Sequence, residues 1–144
     1  MNRPVNFELA KLLKEKGFEQ ENPGYEDHKY SFYAIKDFDN DWRDSFSKRR
    51  EGELLDGYYL APLTEKRENV VIIAPTITEV IMWFYEKHGI WIVSLPVSKN
   101  KWYFEILYNY KKDIGWVCMN DSTESNSPSE AYEAAIKYTL NNLI

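Results

Sequence analysis

Cysteine is nearly missing from this chain of 144 residues, because Cys118 is the only one. A single cysteine excludes an intramolecular disulfide framework and fits a reducing compartment, so the sequence predicts a cytoplasmic protein. Histidine is also scarce. With only His28 and His88, no zinc-type ligand set can be assembled from histidine and cysteine alone. We therefore predict no metal site.

Glycine-rich motifs and long apolar runs are missing too. The six glycines are scattered and build neither type of phosphate-binding loop, and no serine lies in a G-x-S-x-G elbow. No apolar run approaches the roughly 18 residues of a membrane span, and the first residues lack the pattern of a secretory signal. The net charge of −5 opposes nonspecific attraction to nucleic acid or to an anionic bilayer. We predict no cofactor, no assigned catalytic residue and no membrane partner.

Aromatic residues are abundant instead, with 11 tyrosines and 5 tryptophans in a chain that is 16% aromatic. Their side chains serve both in cores and in contact surfaces. This composition favours a binding protein.

Periodicity and capping residues predict three helices. Asn6 caps a helix over 7–16, the Thr76–Glu79 capping box starts one over about 77–88, and Ser127 with Pro128 starts one over about 128–142. His88 lies in the last turn of the second helix, where a cation interacts well with the helix dipole.

Strand patterns occupy much of the remaining chain, over residues 30–35, 70–74, 90–98, 101–110 and 116–120. A short Lys99–Asn100 connection indicates a hairpin, whose second strand places Trp102, Phe104, Ile106, Tyr108 and Tyr110 on its core face. The charged stretch 36–57 is expected to be a loop or an irregular helix. We predict a single α+β domain over residues 1–144, an antiparallel three- to four-stranded meander sheet packed against two or three helices.

Two motifs resemble functional sites only in part. Asp37, Asp39 and Asp41 alternate like the opening of a calcium loop, but Trp42 stands where the loop needs glycine and Lys48 where it needs glutamate. Cys118 lies in an apolar strand with no histidine nearby in sequence, which favours an inert buried thiol.

The stretch "APTITEVIMWFYEKHGIWI", the Tyr- and Trp-rich hairpin and the closing "SPSEAYEAAIKYTLNNLI" resemble small uncharacterised phage and prophage-type proteins of Bacteroidetes. The resemblance covers about the C-terminal half and the first helix. It implies a cytoplasmic, bacterial or phage-encoded protein without an assigned activity, and it implies no catalytic residue.

The leading hypothesis is a non-enzymatic accessory protein that binds a protein partner, with a homodimer as one form of that contact. The residues expected to make surface contacts are Trp83, His88, Trp91, Tyr103 and Tyr108.

Two alternatives remain open at this point. One is a binder of single-stranded nucleic acid that uses the strand from Trp102 to Tyr110, bracketed by Lys99, Lys101, Lys111 and Lys112. The other is a small enzyme with Glu105 or Tyr103 in a cleft.

Overall fold

The chain forms two compact units in the computed structural model, which describes residues 3–19, 31–42, 45–56, 69–108, 117–120 and 124–144. One unit is Pro4–Pro75, and the other contains Arg3 and Thr76–Ile144. The expectation of a single domain stays a prediction. The elements follow the chain in the order α1 (Phe7–Glu15), β1 (Ser31–Ala34), β2 (Phe38–Trp42), β3 (Ser45–Arg49), β4 (Leu54–Asp56), β5 (Val71–Ala74), α2 (Ile77–Trp83), β6 (Ile90–Ser98), β7 (Lys101–Tyr108), β8 (Val117–Asn120) and α3 (Pro128–Asn142).

Helix α1 begins where the sequence predicts it. The Asn6 side chain accepts a hydrogen bond from the Leu9 N–H at 2.9 Å, which satisfies one of the unpaired donors of the first turn. Leu9, Ala10 and Leu13 are buried. Gly17 follows the helix with φ of 96°, a conformation that glycine adopts without steric cost.

The helix packs against β5 in the sheet of the Pro4–Pro75 unit. In this sheet β1 lies between β4 and β5 and is antiparallel to both, so that Phe32 stands opposite Leu55 on one side and Ile73 on the other. Burial of this central strand on both sides builds the unit's core, which includes Phe32, Ala34, Leu55, Val70, Val71 and Ile73.

The expectation of a loop or irregular helix over 36–57 is wrong. Strands β2 and β3 form an antiparallel hairpin in which Phe38 pairs with Arg49 and Asp39 with Lys48, and β4 follows. The two-residue alternation of the aspartates is therefore the period of a strand rather than of a cation-binding loop. Asn40 is buried while Asp39 is exposed, as alternation across a strand requires.

The Thr76–Ile144 unit opens on the predicted capping box. The Thr76 hydroxyl accepts a hydrogen bond from the Glu79 N–H at 3.2 Å, and the Glu79 carboxylate accepts one from the Thr76 N–H at 3.3 Å. The helix ends within the expected range, but its last turn, Phe84–His88, is a π-helix. Gly89 closes this turn with φ of 63°, and its N–H is shared between the carbonyls of Phe84, five residues earlier, and Tyr85, at 3.2 Å from the latter.

Strands β6, β7 and β8 form the predicted meander, an antiparallel sheet in that order. Helix α3 packs on β6 and β7 and has the bounds that the sequence predicts. Its apolar residues Ile136 and Leu140 are fully buried. Tyr132 and Leu143 keep partial exposure.

The fold class is α+β, as predicted, with antiparallel sheets and three helices among the described residues. None of the described helices is both long and apolar enough to cross a membrane.

Candidate functional site

The sheet of β6, β7 and β8 has two faces of different character. Residues that pair directly across antiparallel strands point to the same side, so the register sorts them into two sets. One side carries Ile90, Ile92, Phe104 and Ile106, all at most 4% exposed. Tyr138 of α3 meets the Phe104 ring on this side, with ring centroids 6.4 Å apart. This side is the core face.

The opposite side stays partly exposed along the length of the hairpin. Its cross-strand pairs are Trp91 with Leu107, Val93 with Glu105 and Leu95 with Tyr103. Each of the six side chains is intermediate in exposure. We call this set, Trp91, Val93, Leu95, Tyr103, Glu105 and Leu107, the partly exposed face.

Aromatic contacts hold the Trp91 end of this face. The Tyr85 ring meets Trp91 edge-on, with centroids 5.5 Å apart and an interplanar angle of 81°, and Tyr85 itself is 48% exposed. Such edge-to-face pairs fix ring orientation and add about 0.5–1.5 kcal/mol beyond area burial. Trp91 is therefore an oriented, accessible aromatic side chain.

A carboxylate lies in the middle of the same face. Glu105 stands opposite Val93, and its Oε1 lies 3.5 Å from the Tyr103 hydroxyl, which donates a long hydrogen bond to it. Glu105 is the one charged residue of the six. The face therefore combines apolar and aromatic side chains with one central negative charge.

Trp83 and His88 come together elsewhere, at the π-helical turn. Their rings lie edge-on at 4.8 Å, and the Phe84 ring is 6.5 Å from the imidazole. The spacing of five residues suits a π-helix, whose hydrogen bonds join residues i and i+5. This extra residue in the turn is what brings the two rings into contact.

His88 is an exposed residue whose imidazole lies beside the rings of Trp83 and Phe84. Partial burial lowers the pKa of His88 below the ordinary value of 6.5, because desolvation disfavours the charged form. His88 lies in the last helical turn, as the sequence predicts, and the lowered pKa disfavours the cation that would interact with the helix dipole. That interaction stays a prediction.

Acidification should therefore destabilise the protein through His88. Because the folded pKa is lowered, the unfolded chain binds the proton first; stability is complete above pH 6.5 and falls as pH drops below it. We expect His88→Gln to reduce this loss, measured by urea unfolding at pH 7.5 and 5.5. His28→Gln is the matched control, and a folded-state NMR titration with a midpoint at or above 6.5 would contradict the assignment.

The expected contact residues thus fall on three surfaces. Trp91 and Tyr103 share the partly exposed face, Trp83 and His88 lie at the π-helical turn, and Tyr108 pairs with Ile90 on the core face. Strand alternation alone separates Tyr103 from Tyr108, since an odd spacing places two residues on opposite sides. The sequence pattern that could have indicated the partly exposed face is the set of apolar residues at alternate positions, Val93, Leu95 and Leu107.

The nucleic-acid hypothesis requires aromatic and basic side chains together on one open face of the sheet. The described residues do not combine them in this way. Trp102 lies on the same side as the core residues, and the Lys101 ammonium is 3.5 Å from the Glu124 carboxylate. Tyr110, Lys111 and Lys112 lie outside the described residues. Glu105 would also repel phosphates from the partly exposed face.

Arg49 and Arg50 are consecutive basic residues at the end of β3, and Glu53 contacts both of them. The Arg50 N–H and the Arg49 guanidinium both donate to this carboxylate, each at 3.0 Å, and they lower its pKa, the Arg50 contact most strongly. The cluster is therefore partly neutralised. It offers less charge to a polyanion than its sequence indicates.

No cluster of three or more potential metal-ligating side chains occurs in the part of the chain that the structure describes. Cys118 lies in β8, with its backbone opposite Leu107. Glu105 and Tyr103, the residues of the enzyme alternative, do lie together, and that alternative stays a prediction.

No protein-family model, curated protein or solved structure matches this chain. The resemblance to phage and prophage-type proteins therefore also stays a prediction.

Proposed function

We propose that this protein is a small non-enzymatic accessory protein of phage or prophage type, acting in the cytoplasm by binding another protein through the partly exposed face. The observation that supports the proposal is the combination on that face of an oriented tryptophan, apolar neighbours and one carboxylate. Buried aromatic anchors contribute a large share of the binding energy at protein interfaces.

The chemistry of the face specifies the partner. Trp91, Val93, Leu95 and Leu107 favour an apolar surface, because covering them removes apolar area from water. Covering Glu105 without a counter-charge would leave a desolvated carboxylate, which is costly. The partner is therefore an apolar segment that carries a lysine or arginine near its centre.

Selection of random displayed peptides on the immobilised full chain tests this proposal. We expect the enriched peptides to share a cationic residue flanked by apolar ones. For such a peptide, Trp91→Ala should weaken binding about thirtyfold, a hot-spot loss of about 2 kcal/mol. Glu105→Gln, which preserves shape and removes charge, should weaken it about tenfold.

Phe46→Ala is the matched control, because Phe46 is an exposed aromatic residue on β3, outside the face. It should leave peptide affinity unchanged. Enriched peptides that lack a cation, or that bind both face variants as tightly as the wild type, would contradict the proposal.

A further inference from the structure

The carboxylate at the centre of the partly exposed face has no counter-ion in the described part of its own chain. There, the one hydrogen bond to the Glu105 side chain is the long one from the Tyr103 hydroxyl, at 3.5 Å, and no ion pair includes Glu105. The lysine of β7, Lys101, lies four positions earlier, about 13 Å along a strand. Its ammonium is 3.5 Å from the Glu124 carboxylate. Glu105 is therefore available to a cation on a binding partner.

Aromatic side chains flank this carboxylate on the same face. Tyr103 precedes Glu105 by two positions on β7, which places both side chains on one side of the strand. Trp91 stands opposite Leu107 and is therefore a diagonal cross-strand neighbour of Glu105. Diagonal neighbours lie about 7–8 Å apart, within reach of aromatic and long side chains. A cation bound to Glu105 can therefore also contact an aromatic ring.

Exposure and orientation suit such a contact. Trp91, Tyr103 and Glu105 are each intermediate in exposure, so a partner can reach all three side chains. The Tyr85 ring meets Trp91 edge-on, and the Tyr103 hydroxyl donates to one carboxylate oxygen of Glu105. Because each carboxylate oxygen has two acceptor sites, this one long hydrogen bond leaves both oxygens able to accept from a partner. The face therefore offers two acceptor oxygens beside two aromatic rings.

We infer that the cation of the partner is arginine rather than lysine, an assignment that rests on the protein-binding function proposed above. A guanidinium is planar, and its N–H groups form a fork that matches both oxygens of a carboxylate. Its flat faces also stack on aromatic rings. One arginine side chain can therefore bind Glu105 through two hydrogen bonds and contact Trp91 or Tyr103 at the same time.

Lysine suits the site less well because of its hydration. Its ammonium is a compact, strongly hydrated charge. Val93, directly opposite Glu105, and Leu107, two positions after it, have no polar side-chain atoms to replace the water that the ammonium would lose. A guanidinium is more weakly hydrated, so covering it beside the same apolar side chains costs less free energy.

Binding of three matched peptides to the full chain tests the arginine assignment. The peptide most enriched in the selection described above is synthesised with arginine, lysine or citrulline at its cationic position, and isothermal titration calorimetry measures the three affinities. Citrulline keeps the shape of arginine without its charge. We expect the arginine peptide to bind about tenfold more tightly than the lysine peptide and about thirtyfold more tightly than the citrulline peptide.

Two variants of the chain locate the selectivity. Glu105→Gln removes the charged partner of the guanidinium, and Trp91→Leu removes an aromatic ring while keeping an apolar side chain. Each should reduce the ratio of arginine to lysine affinity to about threefold or less. Phe46→Ala, at a side chain on β3 that is 67% exposed, is the matched control and should leave this ratio unchanged. A loss of folded protein would not change the ratio, because it weakens the binding of both peptides equally.

The possible results separate this inference from the proposed function. Equal affinities for the arginine and lysine peptides, both weakened by Trp91→Ala, would overturn the preference for arginine and leave the protein-binding function standing. An arginine preference that persists in both Glu105→Gln and Trp91→Leu would overturn the placement of the guanidinium on this face. A selection that enriches no cationic peptide would overturn both proposals.

Discussion

Replacing Phe104 with alanine is expected to lower the free energy of unfolding by about 3–5 kcal/mol. Phe104 is 1% exposed, lies at the centre of β7 and contacts the Tyr138 ring of α3. Its removal deletes apolar contacts on both sides of the sheet–helix boundary and leaves a cavity that a rigid strand and a capped helix cannot close. Urea unfolding monitored by circular dichroism measures the loss.

The matched control is Phe46→Ala, the same change at a side chain that is 67% exposed. Because little apolar area is buried there, the free energy of unfolding should change by no more than about 0.5 kcal/mol. A loss below about 1 kcal/mol for Phe104→Ala would show that the core face does not have the packing described.

The helices were predictable because each carries its own boundary signals. Asn6 and Thr76 cap through hydrogen bonds to residues only three positions away, and Pro128 is fixed at a first helical position by its ring. Local interactions of this kind can be recognised in a short stretch of sequence. The π-helical turn could not be predicted, because it shifts the hydrogen-bonding partner by one residue without changing the pattern of apolar residues.

The sequence did not predict the hairpin of β2 and β3, because the composition of each strand alone does not show that the two strands pair. Its residues are mostly charged or polar, and the cross-strand partners, such as Asp39 with Lys48, stabilise each other only once the strands are aligned. Propensity for strands depends strongly on such neighbours. A window that contains only one of the two strands therefore resembles a loop.

The side of the strand on which each candidate residue lies was predictable, and the arrangement of the site was not. The aromatic-rich hairpin predicts Trp91 and Tyr103 as contact residues, which stays a prediction, and alternation gives their side of each strand. Which strand lies at the edge depends on sheet order, which no local pattern records.

Replacing Leu13 with alanine is expected to cost about 2–5 kcal/mol of unfolding free energy. Leu13 is fully buried on α1, whose apolar side packs against β5 in the Pro4–Pro75 unit. Helix α1 has only nine residues, a length at which isolated helices are marginal, so its stability depends on this packing. Leu54→Ala is the control, because Leu54 is 47% exposed in the same unit and should change stability little.

The Leu13→Ala variant also tests whether residues 1–144 behave as one domain. Four of the five tryptophans, at positions 83, 91, 102 and 116, belong to the Thr76–Ile144 unit, so tryptophan fluorescence reports mainly on that unit. A single cooperative domain predicts that fluorescence and circular dichroism show the same lowered urea midpoint, because all of the chain unfolds together. A fluorescence midpoint equal to that of the wild type, with an earlier change in circular dichroism, would contradict the single-domain prediction. In that case the loss at Leu13 would belong to the Pro4–Pro75 unit alone, since the cost of a cavity is confined to the cooperative unit that contains it.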